Sequence, residues 1–383
     1  MRIPLSSPDI QEADIAAVLD VLRQSRLSMG PRQDEFERAV AEYVGVPFGI
    51  AVNSGTSGLH LAIRALGIGA GDEVILPSFS FIAPANAICY ERATPVFVEI
   101  EPTTLTLDPA CVERAITPRT RAILAVHTFG CPADLAALSS IARRHNLFLI
   151  EDACEALGAE FDGCRVGGIG DVGVFAFYPN KQITTGEGGM VITRDAALAK
   201  RMKSLRNQGR SETKDWLQHA EVGFSYRLPE MNCALGMEQM KRIDAVLACR
   251  EKIARIYESK LRQNSDLRLL PIDQPGRRVS WFTYPIRLGE RFTRQDRDRI
   301  ITDMARAGIE CGRYFAPIHL QPAYSDAHRS QDLSKSDFLM TEACADRSIA
   351  LPLFHQITEQ QIDEVCCQLS EFIQRPAARA AAS

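Results

Sequence analysis

Short runs of apolar residues recur along residues 48–193, and helical patterns lie between them. Nearly continuous apolar character, without strict alternation, is typical of strands that are buried on both faces of a parallel sheet. The pattern therefore predicts an α/β fold with a mostly parallel, seven-stranded sheet covered by helices. The predicted strands are FGIAV (48–52), EVIL (73–76), PVFVEI (95–100), AILAV (122–126), LFLI (147–150), VGVFAF (172–177) and MVIT (190–193).

The segments between these runs have helical spacing. In SGLHLAIRAL the apolar residues Leu59, Ala62, Ile63 and Leu66 fall on one face. PADLAALSSIARRH predicts a helix that starts at Pro132 and ends in basic residues.

The character of the chain changes near residue 230, where NCALGMEQMKRIDAVLACREKIARIYESKL predicts one long helix or two consecutive helices. We expect a large α/β domain with an N-terminal arm over 1–245 and a smaller C-terminal α/β domain over 246–375. The last residues, 376–383, are predicted to be a disordered tail.

Composition limits the functional classes. Hydrophobic residues make up 46% of the chain, charged residues 24%, and the net charge is −4, which does not favour nucleic-acid binding. No apolar stretch is long enough to span a bilayer, and the N-terminal residues lack the apolar core of a signal peptide. The eleven cysteines form no CxxC pair, so we expect reduced thiols in a cytoplasmic protein, without a disulfide framework or a metal site.

The strand at 48–52 leads into NSGTSG directly before a helix. Such a loop presents backbone N–H groups and the hydroxyls of Ser54, Thr56 and Ser57 at a helix N-terminus. That geometry suits a phosphate or a carboxylate. An ordinary capped helix start explains this motif equally well when it is taken alone.

Further polar and aromatic residues follow other predicted strands. Glu151 and Asp152 come after the run at 147–150, and alternation allows only one of them to face the crevice at the strand ends. Lys181 follows the run at 172–177 beside a glycine-rich turn, although lysine is rarely buried. Phe79 and Phe81 follow the strand at 73–76 and offer aromatic faces, or else pack in the core.

Together these residues fit the binding of pyridoxal phosphate (PLP). Lys181 would form a Schiff base with the cofactor, and a carboxylate would keep the ring nitrogen protonated. The small-residue loop would hold the phosphate, and an aromatic side chain would stack on the ring. Each motif alone is weak, but the combination is specific.

The same segments resemble the DegT/StrS family of PLP-dependent nucleotide-sugar aminotransferases. The resemblance covers nearly the whole chain. It is carried by VNSGTSGLHLAIRALGIGAGDEVILPSFSFIAPANAI, ATPVFVEIEPTTLTLDP, ILAVHTFGCPADL, IEDACEALGAEFDGCRVGGIGDVGVFAFYPNKQITTGEGGMVIT, EVGFSYRLPEMNCALGMEQMKRID, RYFAPIHLQPAY and LPLFHQITEQQIDEV.

The resemblance implies a fold-type I PLP-dependent transferase that works as a homodimer with active sites at the subunit interface. It implies that Lys181 binds the cofactor and moves the proton, and that Asp152 pairs with the ring nitrogen. It also implies that Phe81 stacks on the ring, and that Gly55 and Thr56 hold the phosphate.

Three positions depart from many relatives. The resemblance places Glu155 near the phenolic oxygen of the ring, where many relatives have glutamine. Glutamate at this position favours the branch of the family that resembles perosamine-type synthases. Ala176 replaces a serine whose hydroxyl touches the phosphate. Ser225 replaces an asparagine that reaches the phosphate across the dimer, and its shorter side chain still has a hydroxyl donor.

The reaction implied by the resemblance has L-glutamate as amino donor and a nucleotide-linked keto sugar as acceptor, giving an amino sugar for polysaccharide or secondary-metabolite biosynthesis. The rival hypotheses are a sugar dehydratase of the same family, a PLP enzyme of the same fold acting on amino acids, and a non-catalytic PLP-binding regulator. The dehydratases carry histidine at the lysine position, so Lys181 argues against them. Four arginines are candidates for binding the diphosphate or the glutamate carboxylates, although surface or interdomain ion pairing is the favoured interpretation for most of them: Arg206, Arg210, Arg227 and Arg313. His127 and His319 are interpreted as packed or capping residues and not as catalytic ones.

Overall fold

The computed structural model describes residues 2–211, 218–324 and 338–375. The predicted disordered tail, 376–383, lies outside the described residues.

All seven predicted strands are present, and they form one sheet. In chain order the strands of this part are β1 (Phe48–Val52), β2 (Glu73–Pro77), β3 (Thr94–Val98), β4 (Thr120–Val126), β5 (Phe148–Asp152), the short β6 (Glu160–Phe161) and β7 (Cys164–Arg165), β8 (Val172–Ala176) and β9 (Gly189–Thr193). All but β6 and β7 form a sheet in the order β1-β9-β8-β5-β4-β2-β3. Only β9 runs opposite to the other six strands of this sheet, so the predicted mostly parallel arrangement is confirmed.

Helices cover both faces of the sheet. They are α1 (Glu12–Leu22), α2 (Pro31–Val44), α3 (Gly55–Ala65), α4 (Ala83–Tyr90), α5 (Pro109–Ala115), α6 (Leu135–His145), α7 (Ala196–Arg206) and α8 (Glu230–Met240). Residues of α3, α4 and α7 share one buried apolar core with the sheet, and residues of α2, α6 and α8 share the other. The strands are therefore buried on both faces, which is why they read as nearly continuous apolar runs.

The predicted start of α6 at Pro132 is wrong. The helix begins at Leu135, because the Asp134 side chain accepts a hydrogen bond from the Ala137 N–H at 3.0 Å and caps the helix there.

The second part of the described chain begins with α9 (Ile243–Leu261), which follows α8 as a separate helix, so the prediction allowing two consecutive helices is confirmed. Its remaining elements are β10 (Leu267–Leu269), β11 (Arg277–Arg278), β12 (Tyr284–Leu288), α10 (Arg294–Arg306), α11 (Leu339–Arg347), β13 (Ser348–Leu351) and α12 (Glu359–Gln374). Short 3₁₀ turns span Thr128–Gly130, Ile318–Leu320 and Pro322–Tyr324.

An antiparallel sheet, β10-β12-β13, packs with α9, α10 and α12 around a core of its own. Ile3 pairs with Ile309, so the N-terminal residues lie against this second part. The helix α9 runs through residue 245, and the predicted domain bounds, 1–245 and 246–375, stay a prediction.

The topology places several chemical groups at one edge. Strands β1, β5 and β8 run in the same direction, and they end at Val52, Asp152 and Ala176. The segments that follow them therefore meet at the carboxyl edge of the sheet, where α/β proteins bind ligands.

Within residues 2–211, 218–324 and 338–375, no helix combines the length and the apolar character that crossing a membrane requires.

Candidate active site

A cavity of ≈ 440 Å³ opens at the carboxyl edge of the large sheet. That volume lies within the range of about 300–1,000 Å³ usual for small-molecule sites. Its walls come from the segments after β1, β2, β5 and β8 and from the second part of the chain. The lining includes Ser54, Gly55, Thr56, Ser80, Phe81, Asp152, Cys154, Glu155, Ala176, Tyr178, Asn180, Lys181, Glu187, Phe282, Tyr314 and Phe315.

Lys181 projects into this cavity. A turn after β8 holds its backbone, because the Lys181 N–H donates to the Tyr178 carbonyl at 2.9 Å. Its side chain is only 13% exposed, and the ammonium Nζ lies 3.7 Å from Glu155 Oε1 and 4.1 Å from the centroid of the Phe282 ring. The lysine is thus held among a carboxylate and an aromatic face, and it does not extend into solvent.

Asp152, the last residue of β5, faces the cavity. Its Oδ1 accepts a hydrogen bond from the Cys154 N–H at 3.1 Å. Burial raises the pKa of the Asp152 carboxyl, and the contacts from Cys154 and the charge of Lys181 offset this only in part. A further positive charge opposite Asp152 would favour its ionised form.

Glu151 lies on the other face of the same strand. Its carboxylate accepts hydrogen bonds from the N–H groups of Gly167, Ile169 and Gly170 at 2.6, 2.8 and 2.6 Å, and it contacts His127 Nε2 at 3.0 Å. Burial acts to raise the pKa of Glu151, but these bonds outweigh burial and lower it. The prediction that one of the two neighbouring carboxylates faces the crevice is confirmed.

Glu155 completes the acidic side of the cavity. Its Oε2 accepts the Phe129 N–H at 2.9 Å, while Oε1 faces Lys181. Burial raises the pKa of the Glu155 carboxyl, and the Lys181 charge and the Phe129 N–H act against that rise.

The first turn of α3 forms the opposite wall. The Ser54 hydroxyl caps the helix by accepting the Ser57 N–H at 3.0 Å, so the helix begins at Gly55, within the segment predicted as a loop before it. The N–H groups of Gly55 and Thr56 belong to the first turn, which has no carbonyl partners within the helix. An anion at this point would receive their hydrogen bonds and the favourable end of the helix dipole.

Gly55 tests whether a cofactor phosphate fits here. A Cβ at this position would lie 2.8 Å from Ala176 Cβ and 2.9 Å from Cys154 Sγ, so a side chain would push the first turn of α3 away from the cavity wall. Glycine lets the N–H groups of that turn lie directly beside the lining residues Ala176 and Cys154. An anion cradle, a buried carboxylate and an enclosed lysine on three sides of one cavity fit pyridoxal phosphate.

The two candidate aromatic residues separate. Phe79 is fully buried and packs edge-on against Phe129 and Phe315, so it belongs to the core. Phe81 lines the cavity and is 61% exposed, which leaves its ring free to stack on a ligand.

Two of the predicted departures lie in different places. Ala176 lines the cavity beside Gly55. Ser225 is exposed, pairs through its backbone with Asn207, and is not part of the lining of its own chain's cavity. Its predicted contact with phosphate across a dimer stays a prediction.

The other basic candidates are mostly engaged elsewhere. Arg206 is buried and paired with Glu37, while Arg313 Nε lies 3.2 Å from Asp298, and Arg227 donates to the Asn207 side chain at 2.9 Å. His127 and His319 are fully buried, and His319 contacts Ser78 and stacks on Phe338. These contacts confirm packing and ion pairing for these five residues.

Sequence reasoning missed the aromatic wall that the second part of the chain contributes. Phe282 and Tyr314 stack with ring centroids 5.9 Å apart, and Phe315 stacks on Phe129 at 5.4 Å. Tyr178 lies only three residues before Lys181 in the sequence, so its position could have identified it as a site residue. Phe282 and Tyr314 are more than 100 residues from the lysine, and no spacing in the sequence connects them to it.

Comparisons with known proteins agree with this geometry. Residues 8–370 match the sequence profile of the DegT/DnrJ/EryC1/StrS aminotransferase family. The chain is 42% identical to GDP-perosamine synthase of Caulobacter vibrioides over 374 residues, which cover 97% of this chain and 98% of the relative.

Solved structures share the fold over nearly the full length. The chain is 35% identical to S. venezuelae DesV, solved with a ketimine intermediate; the match covers 98% of this chain and 100% of DesV, with a TM-score of 0.89. It is 27% identical to the PLP form of Spr1654 from Streptococcus pneumoniae, covering 97% and 99% of the two chains, with a TM-score of 0.91.

These likenesses confirm the predicted fold, cofactor and enzyme class. The fold is that of a PLP-dependent transferase, the cofactor is pyridoxal phosphate, and the activity is amino-group transfer. The chain belongs to the DegT/DnrJ/EryC1/StrS aminotransferase family.

Proposed function

We propose that this enzyme transfers the amino group of L-glutamate to the keto group of a sugar carried on a nucleoside diphosphate. The product is an amino sugar for a polysaccharide or a secondary metabolite. The observation that carries the proposal is the approach of Lys181, Asp152 and the first turn of α3 around one cavity. The 42% identity to GDP-perosamine synthase supports a nucleotide-linked sugar as acceptor.

When bound, pyridoxal phosphate supplies the carbon that takes up the amino group and a ring that withdraws electrons from the reacting carbon. Asp152 would hold the ring nitrogen in its protonated form, and that charge would in turn favour the ionised state of the buried carboxylate. Phe81 would stack on the ring, and the N–H groups of Gly55 and Thr56 would bind the phosphate.

Lys181 would then move a proton between substrate and cofactor through Nζ. A base at this position needs a neutral amine during the reaction. Glu155, 3.7 Å from Nζ, is placed to orient the ammonium. Phe282, Tyr314 and Phe315 exclude water from that side of the lysine, which strengthens the electrostatic contacts within the cavity.

We propose that the enzyme works as a homodimer with shared active sites. Among the described lining residues Lys181 is the only basic one, whereas both substrates carry negative charge. Ser225 is exposed and away from its own cavity, which is where a residue serving a partner's phosphate would lie.

Phosphate binding would rely mainly on the first turn of α3. Ala176 has no hydroxyl to donate, and Ser225 is shorter than the asparagine of many relatives. We also place the reaction in the cytoplasm, because all eleven cysteines are free thiols.

The visible absorption spectrum of the purified, PLP-loaded protein tests the first half of this function. A cofactor band that L-glutamate bleaches, and that is lost in Lys181→Ala, is the expected result. Lys241→Ala is the matched control, because this surface lysine is 62% exposed and pairs with Glu238. A protein that stays colourless, or a band unchanged in Lys181→Ala, would contradict the role of Lys181.

The donor and the acceptor are tested separately. Glutamate should bleach the band faster than glutamine, aspartate or alanine at equal concentration. The bleached enzyme should recover its band with one member of a panel of GDP-, UDP- and dTDP-linked keto sugars. Recovery with free 2-oxo acids alone would favour an enzyme acting on amino acids, and a band that ignores every donor would favour a regulator.

A further inference from the structure

Arg250, on helix α9, is a buried cation that the proposed reaction does not use. Arg250 is only 5% exposed, and its guanidinium donates to three backbone carbonyls. The Nη1 group reaches the carbonyls of Trp281 and Phe282 at 2.9 and 3.3 Å, and Nη2 reaches that of Lys181 at 3.2 Å.

This arrangement is unusual for a buried charge. Among the described residues, Arg250 has no ion-pair partner, and its buried Nε has no hydrogen-bond partner. Burial lowers the pKa of Arg250 to about 10, so the side chain remains charged at neutral pH. A buried, unpaired guanidinium is a poor way to gain stability alone, because its desolvation is costly.

The three carbonyls belong to two segments that meet beside the active site. One segment carries Lys181 and the other carries Phe282, whose ring centroid lies 4.1 Å from Lys181 Nζ. A neighbouring hydrogen bond joins the same two segments, from Gln182 Nε2 to Ser280 Oγ at 3.0 Å. Gln182 Nε2 also donates to the Glu155 carbonyl at 2.6 Å.

We propose that Arg250 is a positioning residue that clamps the Phe282 segment to the Lys181 segment and thereby sets the surroundings of the lysine amine. This inference rests on the proposed role of Lys181. Without the clamp, the Phe282 segment would keep its backbone bonds to the carbonyls of Gly130 and Phe129, but the Phe282 ring would gain freedom to move from the lysine and admit water. The titratable groups that line the cavity around the amine are Asp152, Cys154, Glu155, Tyr178, Glu187 and Tyr314.

Proton transfer at Nζ depends on these surroundings, whereas Arg250 itself is not among the residues that line the cavity, so its loss removes no direct contact with the sugar nucleotide. Loss of the clamp should therefore lower kcat more than it changes KM. It should also move the pH midpoint of the visible cofactor band, which reports the electrostatic surroundings of the bound lysine nitrogen.

The test compares Arg250→Met with Arg255→Met in the PLP-loaded full chain. Arg255 lies on the same helix but is 47% exposed and pairs with Glu251 and Asp273 at the surface. We expect Arg250→Met to shift the band midpoint by about one pH unit and to lower kcat at least tenfold. Arg250→Lys should recover part of both effects, and Arg255→Met should match wild type.

Ser280→Ala keeps the inference testable if Arg250→Met does not fold. This change removes the second tie between the segments with little loss of volume, so it should shift the midpoint in the same direction by a smaller amount. A lowered melting temperature with wild-type midpoint and kcat in these variants would assign Arg250 a purely structural role and overturn the inference. A wild-type band that Lys181→Ala leaves in place would overturn both the role of Lys181 and this inference.

Discussion

The two faces of strand β5 end in neighbouring carboxylates with opposite surroundings. On one face, Glu151 accepts three backbone N–H groups and contacts the buried His127, and these bonds lower the pKa of Glu151. On the other face, Asp152 accepts the Cys154 N–H, and burial raises the pKa of Asp152. One carboxylate is saturated with hydrogen bonds, while the other is buried and short of them.

The comparison indicates that Glu151 stabilises the folded protein, whereas Asp152 is available to bind a ligand. A buried carboxylate surrounded by donors favours the folded state, because its ionised form is solvated by the protein. A buried carboxylate with few donors destabilises the cofactor-free protein, and a cation in the cavity would relieve that cost. Adjacent residues of similar chemistry thus have different predicted effects when they are changed.

The largest effect is expected for Glu151→Gln, which tests whether the Glu151 hydrogen bonds stabilise the fold. The amide keeps the size of the side chain but sets an NH₂ group against backbone donors, so the free energy of unfolding should fall by about 3–5 kcal/mol. Urea unfolding at neutral pH measures it. Unchanged stability would show that the Glu151 hydrogen bonds contribute little.

The same variant has a pH signature. Because the pKa of Glu151 is lowered in the folded protein, its contribution is present above the ordinary value of 4.5 and is lost as pH falls through the folded pKa. The stability gap between wild type and Glu151→Gln should therefore narrow on acidification. A gap that widens would contradict the assigned direction.

Asp152→Asn should reverse that behaviour. The pKa of Asp152 is raised in the folded protein, so its ionised form at neutral pH opposes folding, and the cofactor-free variant should be as stable as wild type or more so. Its kcat should fall about 10²- to 10³-fold, because a neutral amide cannot hold a protonated ring nitrogen. Steady-state kinetics and urea unfolding together check it. Loss of stability with retained kcat would show that Asp152 stabilises the fold and would contradict its role at the ring nitrogen.

The smallest expected effect tests the opposite wall of the cavity. Gly55→Ala places a Cβ against Ala176 and Cys154, so the dissociation constant of PLP should rise about tenfold. Gly69→Ala is the control, because the nearest atom to its added Cβ is the Glu91 carbonyl oxygen at 3.7 Å. Spectral titration of the cofactor-free proteins with PLP measures both. Equal PLP affinities of Gly55→Ala and Gly69→Ala would contradict binding of the phosphate at the first turn of α3.

Much of the fold was predictable from the pattern of apolar positions. Strands buried on both faces leave continuous runs such as FGIAV, whose predicted and observed bounds agree at Phe48–Val52. Helix starts were harder to predict, because a side-chain hydrogen bond moved the start of α6 from Pro132 to Leu135.

The identities of the candidate site residues were also present in the sequence. Lys181, Asp152 and Gly55 follow three separate strands, and parallel strands bring their carboxyl ends to one edge. Phe79 and Phe81 were equivalent candidates by position; the family resemblance singled out Phe81, and packing places Phe79 in the core and Phe81 at the cavity.

The sequence by itself determined the sheet, the family and the residues with reactive chemistry, because these depend on local periodicity and on motifs contiguous in the chain. Tertiary structure alone decided what surrounds each of Glu151 and Asp152, which aromatic wall encloses Lys181, and that Arg250 joins the Lys181 and Phe282 segments. Those outcomes depend on contacts between residues that are far apart in the chain, from 16 positions for Glu151 and Gly167 to more than 100 for Lys181 and Phe282, and local sequence carries no period or spacing for them.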